Sequence, residues 1–350
     1  MDSVQTQTLS INGDGGGEAY IDFCNRQLCV SVVILIAALF AVYIRFFNGS
    51  FIYISTGLGK NTILNAKNQK TSMYQADILM SDARKEYEDV FGSDIWNQNI
   101  DGVSFEDYAK DQIKTKLIRL RCMNIFAQQN GVVLSRSQKE DVVKAANEYM
   151  SKLSDSQKST LGLTQDKAEK MFTEFAIAKT LYEDFTSSVD DEISADDARV
   201  INIQYIVCDN ESDINEAKEL VDSGEVFYSV VSRYNGSNDY ECVLKRGQMD
   251  KAFETAAFDL KSGEVSKVVA ADGRYYIIKC ISDNEKSKTE ANKTSIVDEK
   301  KLEHFNDKFE DFETSVYVEF NNKIWKQKKM ASAQILDVDF ESIFEKYFEK

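Results

Sequence analysis

Apolar positions follow three different rules along this 350-residue chain. From 28 to 44 the run LCVSVVILIAALFAVYI carries no charge, and Phe46 and Phe47 extend it past Arg45. Its length lies near the lower limit for a membrane-spanning helix. Between 72 and 186 apolar residues return every three or four positions, as on the buried face of a helix. Phe105, Tyr108, Ile113, Leu117, Leu120 and Met123 keep this spacing after Ser104, a good N-cap, and the pattern stops at Asn130 and Gly131. A second helix is expected from Ser137, with Glu140 completing a capping box. A third begins at Thr164 and carries Met171, Phe172, Phe175, Leu181, Tyr182 and Phe185. Such stripes are core-forming faces.

From 199 to 282 the pattern changes. The segment 200–207, VINIQYIV, is β-rich, and YYIIKCI at 275–281 reads as a strand after the turn signal Asp272-Gly273. Between them lie three short helical segments, SDINEAKELVDSG closed by Gly224, EVFYSVVSRYN, and KAFETAAFDL. Strands and helices thus alternate in a small α+β unit. Beyond 285 the chain is charged, but Leu302, Phe305, Phe309, Phe312 and Val316 keep helical spacing. Phe340, Ile343, Phe344 and Tyr347 give a last amphipathic helix. These stripes need a partner, and the helical region upstream is the candidate. The expected organisation is a flexible tail over 1–27, a membrane anchor over 28–47, a helical domain over 72–196, an α+β domain over 197–283, and C-terminal helices over 285–350 that return to the helical domain.

Charge narrows the function classes. The net charge is −16, with 58 acidic against 42 basic residues, which argues against a nucleic-acid partner. Six cysteines (Cys24, Cys29, Cys122, Cys208, Cys242, Cys280) form no CxxC and no disulfide-framework spacing, and His304 is the single histidine. Zinc sites and Cys/His nucleophile pairs are therefore not expected; no metal or cofactor is. Proline is absent, where roughly 17 would be expected from average usage. For the apolar run, a cleaved signal peptide is the alternative, but the tail before it is not basic and no small-x-small site follows closely. Arg26 upstream against Arg45 and Lys60 downstream leans weakly towards an outside N-terminus.

The stretch 246–266, RGQMDKAFETAAFDLKSGEVS, and the strand that follows it carry a resemblance. Gly-Gln-Met, Phe, Ala-Phe, Gly-Glu-Val-Ser and a terminal Ile-Ile-Lys strand occur in order. They resemble the parvulin-type peptidyl-prolyl isomerase domain. ARVINIQYIV fits that family's first strand and GEVFYSVVSRYN its second helix. The flanks are similar to the extracytoplasmic PrsA/SurA-like foldase-chaperones, in which helical segments before and after the parvulin domain pack together as an all-α, SurA-N-like module. The resemblance implies an α+β fold class with that arrangement, and places the bulk of the chain outside the cytoplasm.

It also implies site residues. Met249 and Phe253 take the family's proline-pocket positions, Phe258 sits behind them, and Gln248 lies at the rim. The family carries two facing histidines on its first and last strands; here those positions are read as Gln204 and Tyr276. The usual Cys or Asp of the long loop aligns with Ser237, and the segment YECVLKRG at 240–247 replaces a Gly-Gly-x-Leu-Gly turn. If Gln204 opposes Tyr276 across paired strands, their polar ends can still bond, and Cys280 falls near Val200, far from Cys208. The implied partners are unfolded or exported polypeptides with X-Pro bonds, and a membrane reached through the N-terminal helix. Two readings follow: a foldase that isomerises X-Pro bonds, favoured by Met249 and Phe253, or an inactive holdase, favoured by the missing histidines.

Overall fold

The computed structural model describes residues 57–100, 102–235 and 240–349. The expected tail (1–27) and apolar anchor (28–47) lie outside these residues. Among the described residues, no helix is long and apolar enough to cross a membrane. The described residues divide into two compact units: one runs up to Phe185 and resumes from Asp307, and the other is Thr186–Asn306. The division at the C-terminal side falls within one long helix, Lys286–Ser315.

The first unit opens with a hairpin of β1 (Thr62–Ala66) and β2 (Gln69–Ser72). Its turn is Lys67-Asn68, both at positive φ (45° and 64°), as two-residue hairpins of this twist demand. Helix Met73–Phe91, a 3₁₀ turn at Ser93–Asn97 and a two-residue hairpin of β3 (Asn99–Ile100) with β4 (Val103–Ser104) follow. Helices Phe105–Gln129, Arg136–Lys152, Asp155–Leu161 and Gln165–Thr186 come next. Ser104 caps the first of these, accepting from the Asp107 backbone N–H at 3.1 Å. The second is capped by Ser135, whose box partner is Gln138, rather than by Ser137 with Glu140. Both serines precede a Gln or Glu at the right spacing, so the sequence alone leaves the choice open.

The module is not all-α. β9 (Val318–Phe320) pairs antiparallel with β1, Leu64 opposite Phe320 and Ala66 opposite Val318, so the sheet order is β2-β1-β9. Strands this short carry too few alternations to be read from sequence, and β9 finds its partner some 250 residues upstream, a pairing no local pattern encodes.

Of the C-terminal stripes, those at Phe309, Phe312 and Phe340 meet rings of the first unit, whereas 286–306, expected to return with them, falls in the second unit, where Asn292 and Thr289 bond the backbone of Ala198 and Val200. Phe126 packs against Phe309 and Phe312, with ring centroids 5.5 and 4.8 Å apart. Phe340, on helix Phe340–Phe348, meets Phe172 at 4.4 Å, Phe175 at 4.9 Å and Tyr149 at 5.8 Å. The buried rings among these, Phe172, Phe309 and Phe340, each contribute about 3–5 kcal/mol against truncation to alanine. Beneath the β1-β2 hairpin, Arg121 binds Glu174 at 2.9 Å and the Thr71 hydroxyl at 3.0 Å. The other Glu174 oxygen accepts from Gln75 Nε2 at 2.6 Å.

The second unit holds a four-stranded antiparallel sheet in the order β6-β5-β8-β7. Its strands are β5 (Val200–Cys208), β6 (Glu241–Lys245), β7 (Val269–Ala271) and β8 (Arg274–Ser282). Helices Glu211–Asp222 and Phe227–Tyr234 cover one face, around Ile206, Ile214, Val230 and Ile277. Helix Lys251–Asp259 covers the other, around Ile203, Phe253, Tyr276 and Ile278. β6 is formed by the segment expected only to replace a turn. Cys280 lies opposite Ile203, not near Val200, and Cys208 opposite Tyr275; among the described residues Cys122, Cys208, Cys242 and Cys280 are free thiols.

The seat of the last helix contains a titratable weak point. Asp82 is buried, and its Oδ2 accepts from the Phe340 backbone N–H at 3.0 Å. Burial, and then the nearby Asp339, hold its carboxyl well above the usual carboxylate range, against the pull of that N–H. A raised native value means that Asp82 favours folding below about pH 4 and that this contribution is lost as pH rises through the native value. Asp82→Asn keeps an oxygen for Phe340 and removes the buried charge. The variant is expected to melt higher than wild type at pH 7, by about 2–4 °C per kcal/mol relieved, and to match it more closely near pH 4. Thermal melts across that range check this, and equal pH dependence in both proteins would contradict it.

Candidate functional site

The site lies on the sheet face under helix Lys251–Asp259. Strand residues alternate between faces. On β5, Ile201 and Ile203 lie in the cluster under this helix, with Tyr205 and Val207 packed against it, whereas Ile206 and Cys208 belong to the opposite cluster. On β8, Tyr276 and Ile278 point to the site and Ile277 away. The register sets Val207 opposite Tyr276 and Tyr205 opposite Ile278. Tyr205 and Tyr276 are therefore diagonal neighbours on one face, 6.3 Å between centroids, at 61°. Phe253 completes the group, edge-on to both at 5.0 Å from Tyr276 and 6.2 Å from Tyr205. Aromatic pairs favour such edge-to-face contact.

The helix above is fixed locally. Asp250 caps it by accepting from the Ala252 N–H at 2.8 Å. Glu254, one turn in, accepts from the Gly247 N–H at 2.6 Å and so ties the preceding loop to the helix. Gly247 sits at φ 80°, where a side chain would strain the backbone. The Ser262-Gly263 segment after this helix is held along β8. Gly263 N–H donates to Cys280 O, Ser266 N–H donates to Ile278 O, and Ile278 N–H donates to the Ser266 Oγ, so this segment runs along the β8 edge as an extension of β7.

The outer edge of β5 is closed by side chain as well as by β6. Asn235 Oδ1 accepts from the Val207 N–H and its Nδ2 donates to the Tyr205 carbonyl, both at 3.0 Å. The Tyr205 N–H reaches the Tyr240 carbonyl at 2.8 Å. These three bonds hold the backbone on either side of the Tyr205 ring.

Several expected positions move. Gln204 does not oppose Tyr276: it pairs with Lys279 on β8, and its side chain donates to Glu241 at 3.3 Å on the far face. The reason is parity, since Gln204 and Tyr205 are adjacent and must face opposite ways. Phe253 is not a partly open wall but fully buried. Phe258 is shut from solvent by two guanidinium groups, Arg246 at 4.2 Å and Arg199 at 5.1 Å from its ring centroid. Gln248 is exposed, and its Oε1 accepts from the Lys245 N–H at 2.8 Å, closing the turn before the helix. Met249 is 37% exposed at the helix N-terminus. Ser237 lies outside the described residues. The structure thus brings together Phe253 and Tyr276 with Tyr205, which sequence reading missed. Strict alternation along VINIQYIV was the signal: Ile201, Ile203, Tyr205 and Val207 form one face.

No imidazole stands here, because the single histidine, His304, belongs to helix Lys286–Ser315. Cys208 is on the other face, and burial pushes its thiol up. What the face offers is apolar and aromatic surface, with two phenols as hydrogen-bonding groups. Such a surface can seat a small apolar ring, and the free Cys242 thiol packs against the same cluster.

The chain is similar to several known proteins. Residues 210–282 match the family described as Rotamase: PPIC-type PPIASE domain. The chain is 22% identical over 234 residues to Foldase protein PrsA of Caldanaerobacter subterraneus subsp. tengcongensis, covering 62% of this chain and 71% of that one. To Foldase protein PrsA 3 of Bacillus anthracis it is 28% identical over 226 residues, 59% of this chain and 73% of the relative. Among solved structures, Peptidylprolyl Isomerase (PrsA) of Bacillus cereus aligns at 21% identity and a TM-score of 0.34, over 83% of this chain and 98% of that one. Residues 210–282 therefore belong to the PPIC-type, parvulin family of peptidyl-prolyl isomerase domains, and the chain that carries them is PrsA-like.

Proposed function

We propose that this protein is a membrane-anchored, extracytoplasmic foldase. It binds unfolded polypeptide and speeds cis/trans isomerisation of X-Pro bonds on the face formed by Tyr205, Phe253 and Tyr276. The observation that carries this reading is the three-ring group on one sheet face, with Tyr205 half-buried and Phe253 and Tyr276 buried; those two lie within the segment that matches the PPIC family, and Tyr205 just before it. Rotation about an X-Pro bond needs no covalent step. Its barrier of about 18–20 kcal/mol comes from amide resonance, so a site that seats the proline ring and leaves the carbonyl free to turn can favour the twisted amide. Tyr205 and Tyr276 provide the seat, Met249 the exposed edge, and Phe253 the buried support under both rings. The helical unit acts as the client-binding part, and 28–47 as the anchor.

Full burial of Phe253, with Gln204 and Tyr276 at the positions where the resemblance implied imidazole, favours a second reading: a holdase that binds clients without turnover. A short X-Pro peptide and an aggregation-prone client separate the two. On the first reading the chain accelerates isomerisation, and Tyr205→Ala lowers the rate at least about tenfold with the fold retained. Tyr276→Phe, which deletes one hydroxyl, costs about 1 kcal/mol, roughly fivefold in rate. Phe253→Ala acts through stability instead, by about 3–5 kcal/mol, because nothing of its ring is open. With no imidazole at the site, the rate should stay flat between about pH 6 and 8, the range in which histidine titrates. Suppression of aggregation with no acceleration by wild type would establish the holdase.

The topology is tested separately. Protease added outside intact cells is expected to digest 70–350. Full protection of that region would place the bulk of the chain in the cytoplasm and overturn the extracytoplasmic assignment.

A further inference from the structure

In a chain of net charge −16, the stretch 322–329, NKIWKQKK, holds four lysines and no carboxylate. It follows β9 and contains the short helix Asn322–Trp325. Its place in the fold gives the run a meaning that its composition lacks. Asn321, the residue that caps this helix, donates from Nδ2 to the carbonyls of Leu58, Gly59 and Thr62, at 3.4, 3.5 and 3.0 Å. Its backbone N–H donates to the Ile63 carbonyl at 2.8 Å. The lysine-rich segment is thus fastened to the point where the described chain begins, and Lys60 joins it there.

The neighbouring carboxylates divide these lysines into two sets. Lys328 is paired with Asp77 and Lys329 with Glu106. From helix Phe105–Gln129, Lys110 reaches the Lys328 carbonyl at 2.8 Å with Glu106 and Asp107 nearby, and Lys114 has Asp111 beside it. Lys60, Lys323 and Lys326 are exposed and form no ion pair among the described residues. Upstream of Lys60, residues 46–59 carry no charge, and the apolar run 28–47 lies just before them. At no more than about 3.6 Å per residue, the eleven steps from 47 to 58 span at most about 40 Å. With 28–47 in a bilayer, this face stays within that reach of the surface.

We propose that Lys60, Lys323 and Lys326 form a basic face that docks the first unit on an anionic phospholipid surface beside the apolar run. This rests on the anchor reading of 28–47. A lysine near an anionic surface strengthens attachment about fivefold, an effect confined to roughly a Debye length. An anchor alone leaves the unit free to swing; three lysines at its foot set which side faces the lipid and hold the remainder of the chain outward.

The lysines themselves are the probes. The full chain is reconstituted in vesicles of phosphatidylcholine, and in vesicles with about one third phosphatidylglycerol. A membrane-impermeant amine reagent is added and labelling is read lysine by lysine by mass spectrometry. The expected result is labelling of Lys60, Lys323 and Lys326 slowed fivefold or more by phosphatidylglycerol, with Lys139 unchanged, and the difference lost in about 0.5 M salt. Equal rates in both vesicles would overturn the proposal. So would the same slowing by soluble glycerol phosphate at matched phosphate, since a free anion would then be the ligand. Flotation separates the anchor from the face: failure to float with phosphatidylcholine vesicles defeats the anchor reading alone. In that case the chain is added to phosphatidylglycerol vesicles, where selective protection of the three lysines sustains the basic face and even labelling rejects it.

Discussion

The antiparallel register of β5 against β8 is the constraint on which the site depends. Val207 faces Tyr276 and Tyr205 faces Ile278, and this alone makes the two tyrosines diagonal neighbours on one side of the sheet. Strand side chains alternate with a period of two, so a slip of one residue would send both rings to the opposite face. The register is held from several directions. β6 covers the first half of β5, Asn235 and Tyr240 bond the second half, and the 263–266 segment lines the far edge of β8. A site made of rings, rather than of ions or metals, has only this packing to define it.

That packing also sorts the residues by task. Phe253, wholly enclosed, sets the position of the tyrosine rings above it, whereas Met249 reaches water at the edge of the same helix. Phe258 serves the helix's other end, under Arg199 and Arg246, where the Arg246 side chain is also paired to Asp196. A seat for a proline ring needs apolar area and shape more than it needs charge. Tyrosine supplies area of the same order as phenylalanine with a polar tip and, unlike imidazole, does not titrate near neutrality.

The first unit is closed by its own long-range contacts. Chain up to Phe185 and chain after Asp307 share one core, joined by Phe126 with Phe309 and Phe312, and by Phe340 with Phe172 and Phe175. The Arg121–Glu174 pair is buried inside it with Thr71, Gln75 and Asn124 as further partners. A buried pair of this kind contributes little net stability, because desolvation offsets attraction, but removing one partner leaves an uncompensated charge and costs about 3–5 kcal/mol. It fixes how the hairpin and three helices meet. Asp82, at the foot of the last helix, has an N–H partner, and the pull of Lys116 and Lys85 does not offset its burial and the nearby Asp339, so burial makes this carboxyl a liability.

Local physical rules made much of the chain legible. Helical spacing located the three long helices between Phe105 and Thr186 but not the short Asp155–Leu161, Ser104 and Gly224 marked ends, and the apolar stripes at Phe309, Phe312 and Phe340 required the partners they have. The order of motifs from Gly247 to Lys279 pointed to the parvulin type, because each reflects a local need: a positive-φ turn, a capped helix, a strand edge. What the sequence could not decide were matters of pairing and parity. Gln204 and Tyr205 are one step apart, and only the β8 register and the helix above show which faces the site. β9 joins β1 across most of the chain, making a sheet where only helices were expected, because a three-residue strand carries no pattern of its own. The lysines at 323–329 are a charge run in sequence; they face the start of the described chain because Asn321 bonds the carbonyls of Leu58, Gly59 and Thr62. Periodicity and caps are local and survive in one dimension, whereas register, face and burial belong to contacts between distant segments and exist only once the chain has folded.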